Sequence, residues 1–307
     1  MKLREISSSD PLTQQVIRQM SLYGTLLGFA EFYRMSGNAD YLRRTATATG
    51  GRFRALDNDY PDNTVTPQYI TPALKILGDK VMVDAAHERR GIDVASIRAS
   101  ELLNFAANLG KQFQNYFVNG SSAQDGNAFD GLKVLVTGSQ KITADANGLA
   151  VDLGNTDAAK KKQQAFLELL DDLISRVDGG AELVLMDAKT LSRLSSIAAD
   201  MITIDADEFG KPLSRFNGIP ILPAGFDRSG NKILPHNETT GSASNCTSIY
   251  AMRFGERNNL TLPSNVGVEV RDLGRQGVHY IHSVEFDTAL ALANSKAAAR
   301  LEGIIIS

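Results

Sequence analysis

The sequence predicts an α+β fold that carries one extended two-strand loop and one unusually long helix. The loop is indicated by residues 61–91, a strand-forming run that is punctuated by proline and glycine and has no helical period. The long helix opens near Asp93, and beyond Ile204 the chain turns to the period-two alternation of β-strands. A lone two-stranded ribbon is marginal in water, so the loop must lie on another surface, most naturally a neighbouring subunit.

The N-terminal half is predicted in three parts. Residues 11–35 carry apolar side chains partly at helical spacing, and they indicate an arm with a short helix that Gly24 and Gly28 weaken. The extended loop follows. A helix then runs from the N-cap Asp93 to about Val118 and ends at Asn-Gly. At about 1.5 Å per residue it spans on the order of 37 Å, which is typical of a structural spine.

The C-terminal half is predicted as a helix–strand–helix unit followed by strands. Residues 129–137 indicate a strand, and Asp157 is the expected N-cap of a helix whose apolar face reaches Val177. A short buried strand at 183–186 and a second helix capped by Asp187 complete the unit. Strands are then predicted at 218–223, 248–255, 266–271 and 278–286, with helix-forming residues at 289–300 and a final apolar run at 304–306.

Composition is that of a packed globular protein. Of 307 residues, 43% are hydrophobic and 22% charged, enough for one large domain or two ordinary ones. The chain has no apolar run long enough to span a membrane and no secretory signal at its start, so we expect a soluble cytoplasmic product without a membrane partner. The single cysteine, Cys246, excludes an intramolecular disulfide framework and is expected to be buried as a small apolar residue.

Charge is distributed unevenly along a chain whose formal net charge is -3, a value that does not favour a generic nucleic-acid-binding protein. Residues 1–54 contain eight Lys or Arg against four Asp or Glu, whereas residues 152–208 contain six against twelve. This asymmetry could orient subunits or place a basic arm near DNA, and two solvated surfaces are the alternative. The arginines of the predicted basic arm are Arg18, Arg34, Arg43, Arg44, Arg52 and Arg54.

Enzyme motifs are incomplete. Residues 133–138 look like the first strand of a dinucleotide-binding fold, but the following residues lack the further glycines, and the chain has neither a phosphate loop nor a nucleophile elbow. His279, His282 and Glu285 would share one face of a helix, but their surroundings alternate as a strand, which sends the two histidines to opposite faces. We therefore predict no catalytic residue, no cofactor and no metal.

An acidic cluster precedes the loop strands. Asp57, Asp59 and Asp62 resemble part of a calcium loop, but Pro61 intervenes and the required Gly and closing Glu are missing. The favoured interpretation is a solvated acidic loop that pairs with Arg or Lys of a neighbour. A metal-dependent α+β enzyme that uses these three aspartates is the alternative from another functional class.

Several different short motifs follow one another along the chain in the order found in a known family. They are Phe-Asp-Gly-Leu at 129–132, Phe-Asn-Gly-Ile-Pro-Ile at 216–221, Ser-Ile-Tyr-Ala-Met-Arg-Phe-Gly at 248–255, Val-Glu-Val-Arg-Asp-Leu-Gly at 268–274, and a closing run from Val284 to Ile304. With the order of arm, ribbon, spine helix and β-rich end, they make nearly the whole chain resemble a tailed-bacteriophage major capsid protein of the Hong Kong 97 type.

The resemblance implies a structural protein and not an enzyme. It would self-assemble, as hexamers and pentamers, into the icosahedral shell around the double-stranded DNA genome of a tailed phage. Further implied partners are a scaffolding protein, a portal protein and packaged DNA held by non-specific contact. The shell would be assembled in the bacterial host cytoplasm and become the virion capsid. Because the chain begins almost directly with the arm, a separate scaffolding protein or an already removed leader is expected.

The resemblance also implies a division of the chain. The expected regions are an N-terminal arm at 1–37, an extended loop at 38–84, a peripheral domain at 85–149 and 263–288 with its spine helix at 93–118, and an axial domain at 150–262 and 289–307. The loop residues expected to contact other subunits are Asp57, Asp59, Tyr60, Asp62, Tyr69, Lys75 and Lys80. Some relatives crosslink through a loop lysine, but no motif here fixes an asparagine partner, so no crosslink is predicted. An encapsulin-like bacterial nanocompartment shell is the nearest alternative, which packaged content would distinguish.

Overall fold

The chain folds around two hydrophobic cores that lie on opposite faces of one large sheet. The computed structural model describes residues 1–44, 51–60, 68–207 and 209–306. Its helices are α1 (Leu3–Ile6), α2 (Pro11–Tyr23), α3 (Leu26–Phe29), α4 (Ala86–Arg89), α5 (Val94–Asn119), α6 (Leu132–Leu135), α7 (Asp157–Ser175) and α8 (Ala188–Ile197). Within the described residues, no helix is both long and apolar enough to span a membrane.

The strands form one large and three small sheets. They are β1 (Phe32–Arg34), β2 (Leu42–Arg44), β3 (Gln68–Ile70), β4 (Lys75–Asp84), β5 (Lys141–Thr143), β6 (Leu149–Val151), β7 (Leu183–Met186), β8 (Ile202–Ala206), β9 (Pro212–Phe216), β10 (Ile219–Pro223), β11 (Glu238–Thr240), β12 (Ala243–Met252), β13 (Leu260–Ser264), β14 (Val268–Gln276), β15 (His279–Thr288), β16 (Ala291–Leu292) and β17 (Ala298–Ile306). The large sheet has the order β5-β17-β12-β7-β10-β9-β8, with β6 and β11 added beside β17 and β12.

The predicted spine helix is confirmed as α5. The Asp93 carboxylate caps it by accepting a hydrogen bond from the Ala95 backbone N–H at 3.0 Å. Its buried face carries Phe113 and Phe117, and the ring of Phe113 lies 5.4 Å from that of Phe286 on β15. The sheet of β14, β15 and β4 therefore packs on α5 through an aromatic cluster, and the strands predicted at 266–271 and 278–286 pair antiparallel as β14 and β15.

The segment predicted as an arm with a short helix contains α2, which packs on α5 of its own chain. Val16 and Met20 of α2 are fully buried, and α2 crosses α5 with its backbone almost in contact. A Cβ atom on Gly110 would lie 2.3 Å from the Met20 carbonyl oxygen, so only glycine permits this crossing. The short helix predicted for this segment is present as α2, which ends at Gly24, and Gly24 and Gly110 allow α2 and α5 to pack closely.

The last strand of the predicted extended loop, β4, is part of a sheet of its own chain. Strand β4 pairs antiparallel with β15 along its whole length, from Lys75 opposite Thr288 to Asp84 opposite His279. Lys75 and Lys80 therefore belong to a sheet of their own subunit. The loop leaves the body through the antiparallel pair of β2 and β3, in which Arg44 faces Gln68. The alternation of apolar residues predicted that this segment forms a strand, but it contains no information on which other strand pairs with β4.

The helix–strand–helix unit is confirmed. Helices α7 and α8 bury Phe166, Leu170 and Leu194 against the large sheet, in which β7 is central. Asp187 caps α8 as predicted, at 3.0 Å from the Lys189 backbone N–H. The N-cap of α7 is Thr156 rather than Asp157, since the Thr156 hydroxyl accepts from the Ala159 N–H. The predicted strands near 218–223, 248–255, 266–271 and 278–286 are present as β10, β12, β14 and β15.

Two other predicted elements are wrong. No strand forms at 129–137, where the one-turn helix α6 places Leu132 and Val136, four residues apart, in buried positions. The helix-forming residues at 289–300 contain strand β16 and the start of β17. Ala298 and Ala299 are fully buried there, so their packing in the sheet overrides the helix propensity of alanine. Cys246 is free and buried, as expected.

Candidate functional site

Residues 51–60, which we call the loop tip, expose several large apolar side chains. Phe53 is fully exposed, and Leu56 and Tyr60 are 87% and 60% exposed. The polar contacts of the loop tip are internal: the Arg54 guanidinium donates to the Asn58 carbonyl at 3.2 Å and lies 5.5 Å from the centre of the Tyr60 ring. Contiguous exposed apolar surface is where proteins pack on other molecules, and contact of the loop tip with another subunit stays a prediction.

The loop tip also contains a tight turn. Asp57 has a φ of 62°, and the Asn58 N–H donates to the Ala55 carbonyl at 3.3 Å. The Asp59 carboxylate accepts from the Tyr60 N–H at 2.8 Å. Asp62 lies outside the described residues. Among the described ranges, no group of three or more His, Cys, Asp or Glu side chains is placed to hold a metal ion.

The base of the loop is held to the body by polar contacts. The Lys75 ammonium donates to the Gly126 carbonyl at 2.6 Å. Beside it, a cleft of about 520 Å³ is lined by apolar residues that include Ile70 and Phe129. Tyr69 is exposed on β3. Lys80 lies elsewhere, on a groove of about 360 Å³ between β4 and α5. The structure thus groups Asp57, Asp59 and Tyr60 at the tip and separates them from Tyr69, Lys75 and Lys80.

The predicted basic arm is not one surface. Arg18 lies on α2 beside a cleft, and the Arg34 guanidinium donates to the Ile6 carbonyl at 2.7 Å. Arg43 and Arg44 belong to β2, whereas Arg52 and Arg54 belong to the loop tip. The arginines divide between the N-terminal helices and the loop because residues 1–35 fold back on the body. Proximity of any of them to DNA stays a prediction.

Sequence analysis missed the ion pair that fixes the start of the loop. The Arg257 guanidinium contacts the Asp40 carboxylate at 2.7 Å and lies 4.8 Å from the centre of the Tyr33 ring. Burial, with the nearby Asp40 charge, raises the pKa of Tyr33 to about 12, although Arg257 opposes the shift. Arg257 lies more than 200 positions from both Asp40 and Tyr33 in the sequence, and no local pattern marks it as their partner.

A second missed contact joins the spine helix to the β14–β15 hairpin. The Arg98 guanidinium donates to the Asp272 carboxylate at 2.6 Å and lies 3.4 Å from the His282 ring nitrogen Nε2. It also stacks on Tyr280, with 5.0 Å to the ring centre. Burial and the Arg98 charge lower the pKa of His282, partly offset by Asp272. The hydrogen bond from Arg98 in turn lowers the pKa of Asp272, although burial opposes the shift.

A third contact is a buried ion pair on the large sheet. The Arg300 guanidinium on β17 contacts both carboxylate oxygens of Glu238 on β11, at 3.0 and 3.1 Å. The Ser248 hydroxyl donates to the same carboxylate, and Lys133 of α6 lies 3.2 Å from it. Burial raises the pKa of Glu238, but the Ser248 hydrogen bond and the charges of Arg300 and Lys133 lower it below its ordinary value overall.

The described architecture matches shell proteins of known structure along almost its whole length. The holo-SrpI encapsulin complex from Synechococcus elongatus PCC 7942 aligns with a TM-score of 0.62 and 15% identity, covering 92% of this chain and 88% of that one. The capsid of the native GTA particle aligns with a TM-score of 0.61 and 15% identity, over 92% and 90% of the two chains. A structure from Mycobacterium phage Bobi aligns at 0.58 and 11%, over 92% and 90%.

The chain has the Hong Kong 97-type capsid fold. No family model and no curated protein matches the sequence, so the likeness lies in the three-dimensional structure. The resemblance found in the motifs is therefore confirmed at the level of the fold. Within the Hong Kong 97-type capsid fold, the division into arm, loop, peripheral and axial domains stays a prediction, as do the subunit-contact roles of the loop residues.

Proposed function

We propose that this chain is a major capsid protein that self-assembles into the icosahedral shell around the double-stranded DNA genome of a tailed phage. One observation carries the proposal: 92% of the chain takes the fold of capsid structures such as that of the GTA particle. The loop tip supports it, because Phe53, Leu56 and Tyr60 are exposed and packing on a neighbouring subunit would bury their apolar surface.

Assembly in this proposal is mechanical. A contact between the loop of one subunit and a different surface of the next is heterologous, and such contacts close into rings when the rotation between subunits permits. Hexamers and pentamers satisfy this condition. Many individually weak contacts then act together, because subunits already held in a ring meet at high effective concentration.

The proposed partners extend beyond copies of the chain. A scaffolding protein would guide the curvature of the shell, a portal protein would occupy one vertex, and packaged DNA would touch the inner surface through non-specific contacts. Assembly would take place in the bacterial host cytoplasm, and the mature protein would reside in the virion capsid.

A second candidate is an encapsulin-like bacterial nanocompartment, which the alignment with the SrpI encapsulin supports. Both candidates form closed shells, and they differ in what the shell contains. The metal-dependent enzyme considered from the sequence gains no support from the loop tip, where Asp57 and Asp59 are exposed and Asp59 already accepts from a backbone N–H.

Electron microscopy of the full-length protein tests the proposal. We expect uniform round particles or capsomer rings by negative stain and a fast-sedimenting species whose abundance rises with protein concentration. Particles from infected cells should protect DNA against nuclease, whereas an enclosed enzyme in place of DNA would favour the nanocompartment. A monodisperse monomer at every concentration would contradict both candidates.

A further inference from the structure

A second apolar surface lies among the N-terminal helices, away from the loop tip. A cleft of about 760 Å³, which we call the N-terminal cleft, opens between α1, α2 and α3 and is closed at its sides by Leu103 of α5 and Phe209 of the β8–β9 turn. Leu22 and Leu27 contribute further apolar wall. This volume lies within the range of sites that bury a ligand.

The charged side chains that line the N-terminal cleft are all positive among the described residues. Lys2, Arg4 and Arg18 line it, and none of its described lining residues is acidic. The Lys2 ammonium donates to the Phe29 and Ala30 carbonyls at 3.0 and 3.4 Å, and it has no carboxylate partner among the described residues. Arg4 and Arg18 are exposed and form no ion pair within the described parts of the chain.

The acidic groups around the cleft are already engaged elsewhere. The Glu5 carboxylate accepts from the Lys2 backbone N–H at 2.7 Å, where it caps α1. Asp207, which lines the adjoining groove, accepts from the N–H groups of Phe209 and Lys211 at 2.9 and 2.7 Å. Neither carboxylate forms an ion pair with Lys2, Arg4 or Arg18 among the described residues.

The remaining polar lining consists of amides. Gln15 and Gln19 both offer a donor and an acceptor to the cleft, while the Gln14 amide is bonded to the Arg4 and Ser8 carbonyls. Apolar walls, a rim of cations and free amides suit a peptide that has one apolar and one acidic face. Nucleic acid fits less well, because a phosphate backbone gains nothing from the Leu22, Leu27 and Leu103 walls.

We propose that the N-terminal cleft binds an acidic amphipathic helix of a partner protein. The apolar face of that helix packs on Leu22, Leu103 and Phe209, as in other helix-in-groove complexes. Its carboxylates pair with Arg4 and Arg18 at the rim, which fixes orientation and accelerates association. The site is independent of the loop tip, and its occupation does not require that the chain form shells.

The test uses two 14-residue fluorescent peptides with the same leucine spacing, one with glutamates and one with lysines at the remaining positions. Fluorescence anisotropy with the purified full-length protein should show binding of the acidic peptide only, weakening as salt rises. The double variant Arg4→Glu, Arg18→Glu should weaken that binding at least tenfold. The matched control Lys161→Glu, Lys162→Glu changes two exposed lysines on α7 and should leave it unchanged.

Localisation provides a second readout. A photoreactive side chain on the apolar face of the acidic peptide should crosslink to residues 17–28 or to Phe209. Equal binding of both peptides, an unaffected charge-reversal variant or crosslinks outside the cleft would overturn the proposal. Tighter binding of a 20-nucleotide DNA than of the acidic peptide would also overturn it and would assign the cleft to nucleic acid. If the charge-reversal variant lost self-assembly but kept peptide binding, the cleft would instead be assigned to a second copy of the chain. The peptide result does not depend on particle formation, so this proposal and the shell proposal fail separately.

Discussion

Two glycines set the distance between α2 and α5. A Cβ atom on Gly24 would lie 2.5 Å from the Gly110 carbonyl oxygen, and one on Gly110 would lie 2.3 Å from that of Met20. Backbone atoms cannot yield as a flexible side chain can. The N-terminal segment is therefore fixed to the spine helix by contact geometry as well as by the burial of Val16 and Met20.

The substitution Gly110→Ala tests whether close packing or helix propensity decides the stability at this position. Propensity alone predicts that Gly110→Ala, in the middle of α5, stabilises the protein by about 1 kcal/mol. We expect the opposite, a loss of about 1–3 kcal/mol from overpacking. Urea unfolding measures the change, and Gly126→Ala, which adds a Cβ atom in open space, serves as the control. A stabilised Gly110→Ala protein would contradict the described crossing.

His282 gives stability a pH dependence. Its folded-state pKa is lowered by burial and by Arg98, so as the pH falls the unfolded chain takes up the proton first. The stabilisation is therefore present above the unfolded pKa of about 6.5 and is lost as the pH falls toward the lower folded value. The lowered carboxyl pKa values, including those of Asp272 and Glu238, act only at more acidic pH.

Thermal unfolding between pH 7.5 and pH 5 measures this effect. The slope of the melting temperature against pH should become shallower in His282→Gln. The matched control is His279→Gln, which alters the histidine three positions earlier on the same strand, on the opposite face of the sheet. If both variants keep the original slope, the pH dependence arises elsewhere.

Single residues show where sequence analysis stops. The opposite faces of His279 and His282 and the N-caps Asp93 and Asp187 were predicted, because each depends on neighbours within one element. The contacts of Arg98 and Arg257 were not, because their partners lie 174 and 217 positions away in the sequence. The exposed tyrosine and aspartates of the loop tip were identified from local composition alone.

A buried ion pair joins neighbouring strands of the large sheet. Arg300 on β17 and Glu238 on β11 have side chains that are 9% and 14% exposed, and Ser248 of β12 bonds to both. Together with Ser248, the pair connects β17, β11 and β12 near one edge of the sheet. The Coulomb attraction between the two charges is offset by the cost of desolvating them. Replacing both residues by apolar ones therefore destabilises the protein less than removing only one of them.

Removing one partner should therefore be severe. We expect Glu238→Ala to destabilise the protein by about 3–5 kcal/mol, because Arg300 is left charged, buried and without its main carboxylate partner. The exposed pair of Glu269 and Arg271 on β14 provides the matched control, and Glu269→Ala should cost less than about 1 kcal/mol. Urea denaturation of both variants makes the comparison. Equal losses would show that the Arg300 site is not a desolvated pair.

Elements with a single strong period were predicted best. The apolar faces of α5 and α7 and the alternation of β14 and β15 identified these elements and most of their extent. Segment 289–300 failed because alanine has high helix propensity and no pattern, whereas its placement in β16 and β17 depends on strand partners elsewhere in the chain. Segment 129–137 failed because a one-turn helix is too short to show a period.

At the scale of the molecule, the loop is an insertion between two paired strands. Since Arg44 faces Gln68 across β2 and β3, replacement of residues 45–67 by Asn-Gly should close the pair as a two-residue hairpin. We expect this variant to fold with an unchanged far-ultraviolet spectrum and to sediment as subunits or capsomers without shells. The reason is that the apolar side chains of the loop tip are removed while the sheet of β4 stays intact.

Two further variants separate loop length from loop chemistry. Phe53→Ser, Leu56→Ser keeps the full loop and should lower the yield of particles at least tenfold by sedimentation. Leu153→Ser removes an exposed leucine outside the loop and should leave the yield unchanged. Normal shells from the loop-replacement variant would show that the loop tip does not join subunits.

The overall architecture was predictable because the order of elements and several short motifs run along nearly the whole chain. What the sequence did not show was which segments meet: the N-terminal helices on α5, or β4 on β15. Those pairings arise from packing between distant segments, and period and propensity contain no information about them. The candidate site was predicted as a list of loop residues, of which Asp57, Asp59 and Tyr60 lie together at the tip.

The parallel pairing of β1 with β13 has a consequence for synthesis. Arg34 pairs with Ser264, 230 positions later, so the strand near the start of the chain has no partner until most of the polypeptide has left the ribosome. At roughly 5–20 residues per second, this delay is on the order of 10–50 s. During that interval the apolar side chains of the first 35 residues lack their final cover, which makes the nascent polypeptide a natural client for chaperones.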